Sequence, residues 1–568
     1  MGALTTDWLP PFLPLDANTP KIFGFSEFLA ALALMVLAWT IADVRYRFRV
    51  RCAPIPLQEL TFAVVGVVGV LSLLTDVWRA EQRLVPQGSL ITPSEWQALL
   101  GALFFLTFMA WAWFAFIRPP VFSPGGAKRY ARTLYAVILK GSPAELSVVA
   151  DEFKRSVRPL IRWAPDRSRR TNSQLGDGHR NTRRLSKRQS EVAAFANDLL
   201  LLIADRRFCR AIVESSPGTA LAVFSEVGET RKYGVDVATF ARNIVAEALA
   251  NKNSFLFHEA EGYESGLIGY HKPLSQAMFS NHAMVETIGT LLDPPVRSMW
   301  SFDADQWEAY CRVVLITLKD YVEEGFWTHS TALYRAKGYI ERAAADLYKL
   351  DGLGFSSWDD DVRGRLRVVV GFIKAAVDIL EKGGVPGHVR RRVPEQHHVG
   401  TFYDHLSDLI FEVISSASTV TRPGSLCWGI QHNAVWSELF NFKHLDGPAG
   451  RIVKFKVRRL IYDEVVDMGR FPNFLGARIL GFCLNVMGLS LSGKDYDRDS
   501  VALQKAILSW TRKNYAWLHS YNPRVAEACL VDSMTYDPER HRITKTYPAD
   551  VFTREAQYVH FEVDPPRT

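Results

Sequence analysis

Paired cysteines are missing from this 568-residue chain. Cys52, Cys209, Cys311, Cys427, Cys483 and Cys529 are scattered, with no C-x-x-C and no Cys/His group at zinc spacing. That excludes a disulfide scaffold and a zinc ribbon, and leaves reduced thiols in a cytosolic setting as the expectation. Also missing are the G-x-S-x-G elbow, the H-E-x-x-H helix, the kinase signatures and the dinucleotide fingerprint. No motif therefore assigns a reaction.

Several near misses fail on a decisive residue. Gly488 to Asp495 has phosphate-loop spacing, but Asp495 stands where a Ser or Thr hydroxyl would hold magnesium. Asp495, Asp497 and Asp499 imitate the start of a calcium loop, yet Ser500 replaces its glycine and Ala506 its bidentate glutamate. Glu395, His397 and His398, followed by Asp404, His405, Asp408 and Glu412, concentrate metal-ligand chemistry. A carboxylate-bridged pair of metals needs two E-x-x-H motifs, and only one is present. Thr401 with Asp404 instead suggests a helix cap, with Asp408 and Glu412 continuing a solvated face. No metal or cofactor is expected.

Charge is scarce in three long stretches. Hydrophobic residues make up 48% of the chain and charged residues 22%, near globular averages, so the membrane character is local. Runs at about 25–42, 60–78 and 96–117 approach the roughly 20 helical residues that a hydrocarbon core demands, and the third contains no charge at all. Thr92-Pro93-Ser94-Glu95 opens the third run with a capping box. Trp39, Trp78, Trp96, Trp111 and Trp113 lie toward the ends of the runs, as aromatic belts require. No basic region precedes the first run, so it is read as a span and not a cleaved signal. Phe474–Ser492 is a weaker fourth candidate. The insertion penalty of Arg478, about 2.5–3.5 kcal/mol, favours a buried core helix there.

Basic residues orient the spans. Arg45, Arg47, Arg49 and Arg51 lie between the first two runs, and Arg118, Lys128, Arg129 and Arg132 follow the third. Residues 1–21 and 79–95 carry no such excess. The expected topology is N-terminus out and C-terminal domain cytoplasmic, with an inner collar at 45–51 and 118–132 facing anionic lipid headgroups. Arg outnumbers Lys by more than two to one. With abundant Ala, that suggests a GC-rich bacterial genome and hence the bacterial inner membrane.

The expected fold class is mainly α: a three-helix N-terminal transmembrane unit, a large cytosolic helical domain and a few short C-terminal strands. Residues 1–21 form an extracytoplasmic tail, 22–120 the spans, 121–161 juxtamembrane helices and 162–190 a basic linker too polar to fold alone. Ser142-Pro143-Ala144-Glu145 repeats the capping-box signature. Residues 191–568 form the cytosolic domain, with a subdivision near 383–394. Strand alternation appears at 543–547 and 558–563. The net charge of +7 is modest and concentrated near the spans, so nucleic acid is not the expected partner.

Asn251 to His282 is the segment richest in chemistry. His258, Glu259, Glu261, Tyr270 and His271 are the candidate ligand-binding residues, set among Gly262, Gly266 and Gly269 in a stretch without sustained periodicity. The expected function is a membrane-anchored sensor or scaffold whose cytosolic domain binds an unidentified ligand or protein partner. Gly66 and Gly69 would let spans of a homo-oligomer approach closely. An oligomeric pore gated by the domain and a membrane-tethered hydrolase are the alternatives.

Overall fold

Alternation of apolar and polar faces around helical turns governs nearly all of this molecule. The computed structural model describes residues 12–15, 21–41, 43–86, 92–167, 187–260, 273–325, 329–353, 360–387, 389, 400–441, 445–490, 498–547 and 555–566. The chain divides into two compact units, Met1–Phe240 and Ala241–Thr568.

In the first unit, α1 (Phe25–Ile41) bends by 106° into α2 (Val44–Cys52), and α3 (Leu57–Ala80) and α4 (Pro93–Ala112) follow. Leu57–Ala80 and Pro93–Ile117 are each long and apolar enough to cross a bilayer. At 17 residues α1 covers about 25 Å at 1.5 Å per residue and becomes a third such element when counted together with α2. The Thr92 side chain accepts from the Glu95 N–H and the Glu95 carboxylate from the Thr92 N–H, so the expected capping box opens α4. Five residues in π-helical turns, Trp113–Ile117, end it.

Phe28, Met35, Val65, Val68, Leu100 and Phe104 form a core among α1, α3 and α4. Gly69 makes room for it: a Cβ there would lie 2.7 Å from the Phe28 ring. One face of Gly69 is thus occupied within the chain, whereas Gly66 has open space above it. Large apolar side chains point outward, with Phe62 74% and Leu106 63% exposed, an arrangement suited to lipid and not to water. Phe12–Pro14 (β1) pairs antiparallel with Leu84–Pro86 (β2), which follows α3. Three-residue strands carry too little alternation to be visible in sequence.

The same unit continues through α5 (Ala127–Lys140), α6 (Pro143–Trp163), α7 (Lys187–Leu202), α8 (Arg206–Ser215) and α9 (Pro217–Thr230). Ser142 and Glu145 form the expected capping box at α6. The last carbonyls of α6 are also satisfied: Lys232 Nζ donates to the Ile161, Arg162 and Ala164 oxygens at 3.1, 2.6 and 3.0 Å. Helices α8 and α9 pack on α6, so residues 206–230 fall within the first unit.

The second unit is a helical domain. Its framework comprises α10 (Ala238–Ala250), α11 (Phe255–Ala260), α12 (Pro273–Phe279), α13 (His282–Ile288), α14 (Val296–Met299), α15 (Ala304–Glu323), α16 (Thr331–Ala344), α17 (Asp360–Gly383) and α18 (Phe402–Ala417). Asp361, from the acidic start of α17, accepts the Ala304 N–H at 2.8 Å and so caps a neighbouring helix. Next come α19 (Gly424–Trp428), a π-helical segment Gly429–Asn441, α20 (Pro448–Asp467), α21 (Phe474–Met487), α22 (Arg498–Tyr521) and α23 (Pro523–Glu527).

Helix α21, the fourth-span candidate, has 14 residues. It lies against α18, α20, α22 and the π-helical segment, with Gly476–Met487 buried except at Arg478. That length falls short of a bilayer crossing. Strands β3 (Met534–Asp537), β4 (Arg542–Tyr547) and β5 (Gln557–Glu562) close the unit as an antiparallel sheet in that order. The two alternating segments seen in sequence are β4 and β5; four-residue β3 carries no such signal.

Candidate functional site

Of the candidate residues between Asn251 and His282, His258 and Glu259 are described; Glu261, Tyr270 and His271 lie outside the described residues. His258 is exposed, its ring edge-on to Phe257, while Glu259 is buried. Glu259 accepts the Leu274 and Ser275 N–H groups at 3.1 and 2.6 Å, so its carboxylate satisfies the start of α12. The two neighbouring side chains therefore serve different environments.

At the end of this segment, His282 Nε2 lies 2.9 Å from Ser330 Oγ, and Ser330 Oγ donates to Glu286 at 2.7 Å. The three residue types are those of a nucleophilic relay, but the order is not. The serine sits between imidazole and carboxylate, and caps α16 by accepting the Leu333 N–H. Burial opposes the Glu286 charge, but the Ala332 and Thr331 N–H groups and the Ser330 hydroxyl outweigh it and lower its pKa. Burial lowers that of His282.

The second concentration, at the start of α18, is partly described, with Glu395, His397 and His398 outside. Thr401 and Asp404 form the expected capping box. Burial works against the Asp404 carboxylate, but the buried Lys456 ammonium and Thr401 hold it below its usual range. His405 is buried, with Nε2 3.4 Å from His329 Nδ1 and its ring centre 5.1 Å from that of Tyr334. Burial, His329 and Lys337 together push its pKa down to about 4. Asp408 is half-buried, and desolvation raises its pKa; the face expected to be solvated is so only at Glu412. Among the described residues no group of three or more His, Cys, Asp or Glu is placed to hold a metal ion.

The phosphate-loop look-alike is described only at its edge. Gly488 ends α21 with φ +78°, and Gln504 donates to the Met487 carbonyl at 2.6 Å. Residues 491–497 lie outside the described residues.

A site that sequence reasoning missed lies between the 421–424 loop, α22, α23 and β3. Thr421, Arg422, His519, Glu527, Asp532 and Tyr536 are among the residues lining a cleft of about 440 Å³ there. That volume falls within the range of ligand pockets. Asp351 fixes one wall by accepting the Thr421 N–H (2.7 Å), the Thr421 hydroxyl (3.1 Å) and the Arg422 N–H (3.0 Å). Asp532 accepts the Gly424 N–H at 3.0 Å. Tyr536 meets Tyr515 and His519 with ring centres 4.9 and 5.0 Å apart.

The sheet beside this cleft is fastened by a buried lysine. Lys545 Nζ donates to the Asn485 backbone carbonyl (2.7 Å) and side-chain oxygen (3.0 Å), and lies 5.0 and 5.1 Å from the Trp428 and Tyr547 ring centres. The Asn485 amide donates to Gln431, whose own amide donates to the Val420 carbonyl. Burial pushes Lys545 down to about 8.

Near the spans, Arg49 forms a two-point ion pair with Glu152 (2.9 and 2.7 Å) and donates to the Ala115 carbonyl, with both charged partners buried. Arg45 reaches Asp151 and Glu152 at 3.0 and 3.3 Å. Two arginines of the expected lipid collar are therefore engaged by α6.

The fold and its apolar N-terminal helices define a membrane-anchored protein with a large α-helical domain. Comparison with family models, curated proteins and solved structures gives no match to this chain.

Proposed function

We propose that this chain is a binding protein of the bacterial inner membrane whose helical domain lies in the cytoplasm and takes its ligand in the 421–536 cleft. The single observation that carries the reading is that cleft, with its walls held by Asp351 and Asp532 and polar residues in its lining. Lipid contact at the collar falls to Arg47, Arg51, Lys128 and Arg132, which are exposed and have no acidic partner among the described residues. Gly66 is where a second copy's helix would approach.

The alternatives find less support. Charges of the spans sit near their ends among the described residues, and Asp76 is engaged by Lys21 and the Phe25 N–H, which gives an ion path little support. For a hydrolase, the Ser330 hydroxyl is held between His282 and Glu286 and caps α16, an order that departs from a serine–imidazole–carboxylate relay.

Thermal unfolding of the detergent-solubilised full chain with amino acids, short peptides, nucleotides and sugars tests the cleft. A midpoint rise with at least one class, lost in Thr421→Trp, is expected. No rise with any class, or one surviving the filled cleft, rejects the reading. Orientation is checked separately, because all six native cysteines are buried and stay silent. In intact cells an impermeant maleimide should label Glu81→Cys and spare Gly125→Cys; the reverse would invert the topology.

A further inference from the structure

Strand β3 lies at one edge of its sheet, with β4 on its only paired side among the described residues. The Thr546 N–H donates to the Ser533 carbonyl at 2.7 Å. Backbone groups alternate sides along an antiparallel strand, so Ser533, Thr535 and Asp537 face β4 while Met534 and Tyr536 face away. The Met534 N–H is used by the Val531 carbonyl at 2.7 Å. The outward Tyr536 N–H and C=O have no backbone partner among the described residues. Met534, Thr535 and Tyr536 also line the cleft, so this open edge runs along it. An unpaired edge is a template for another extended backbone.

Side chains around the edge set the chemistry of what would pair there. Glu527 and Asp532 give the cleft two carboxylates against one guanidinium, Arg422, and none of the three has an ion-pair partner among the described residues. The partly exposed Tyr536 ring, packed edge-to-face on buried Tyr515, adds a face that attracts a cation. Both features favour positive charge.

We infer that the cleft binds an extended peptide segment carrying basic side chains, which adds to β3 through the Tyr536 backbone while Glu527 and Asp532 receive a lysine or arginine. The inference rests on the cleft being the ligand site and names the class of ligand. Strand addition supplies affinity through the main chain; alternate side chains supply selectivity.

The test uses fluorescence polarisation with the full chain in neutral detergent and a labelled seven-residue peptide of alternating Thr and Lys. Saturable binding is expected, weakened about tenfold by Glu527→Gln. Only every second amide of an added strand faces its partner, so N-methylating one alternate set should abolish binding and the other set should not. The Thr/Glu counterpart and free lysine should fail to compete. Equal binding of both methylated peptides, or competition by free lysine, overturns strand addition. Preference for the acidic peptide, or no binding at all, overturns the peptide class. Binding indifferent to both Glu527→Gln and Thr421→Trp places the peptide outside the cleft, and so rejects the site along with the class.

Discussion

Glu152→Ala should destabilise the membrane-proximal unit by about 3–5 kcal/mol, because it strands the Arg49 guanidinium in a buried position with the Ala115 carbonyl as its remaining acceptor. Neighbouring Arg45 would lose one of its two carboxylates, a smaller loss at a partly solvated site. The double variant Arg49→Met, Glu152→Leu should regain most of the deficit, since apolar groups of similar size often replace a buried pair without penalty. Thermal unfolding in detergent, followed by far-ultraviolet circular dichroism, separates these outcomes. A Glu152→Ala midpoint equal to that of the wild type would contradict the burial described for this pair.

Acidification should weaken the helical domain through His405. Its folded-state pKa of about 4 lies below the ordinary 6.5, so the unfolded chain takes up the proton first as pH falls. Stability is therefore full above about pH 6.5, declines between there and about 4, and levels off below. The loss amounts to roughly 3 kcal/mol, taking 1.36 kcal/mol per unit. Asp404 adds to the loss at lower pH, since its lowered pKa means it too must be protonated against the fold. Asp408 acts in the opposite direction because its pKa is raised. His405→Gln should flatten the decline. Urea midpoints at pH 7.5, 6.0 and 4.5 for both proteins decide the matter, and parallel pH profiles would rule His405 out as the source.

Elements with strong local signals were legible from residues alone. The charge-free Trp96–Ile117 run, the two Ser/Thr-Pro-x-Glu boxes and the alternation at 543–547 and 558–563 each encode structure within a few neighbours, and each is present in the fold. What stayed hidden depends on distant pairing. Arg45 and Arg49 read as lipid-facing because Glu152, their partner, lies about a hundred residues away, and no local rule connects them. The cleft is assembled from residues 421–422, 515–536 and the edge of a four-residue strand, none of which carries a motif. Glu259 shows the reverse: a carboxylate in a chemistry-rich segment whose partners are two backbone amides.

The lysine that fastens the sheet also sets an order in time. Helix α21 is almost wholly apolar on every side, and its neighbours α22, the C-terminal sheet and Lys545 itself all follow it in the chain. During synthesis it leaves the ribosome before those covers exist, close to a membrane that holds the protein's own N-terminal helices. For that interval it is an exposed hydrophobic segment of the kind chaperones and insertion machinery capture. Its 14-residue length and Arg478 then act as a kinetic safeguard, disfavouring insertion until the sheet arrives to enclose it.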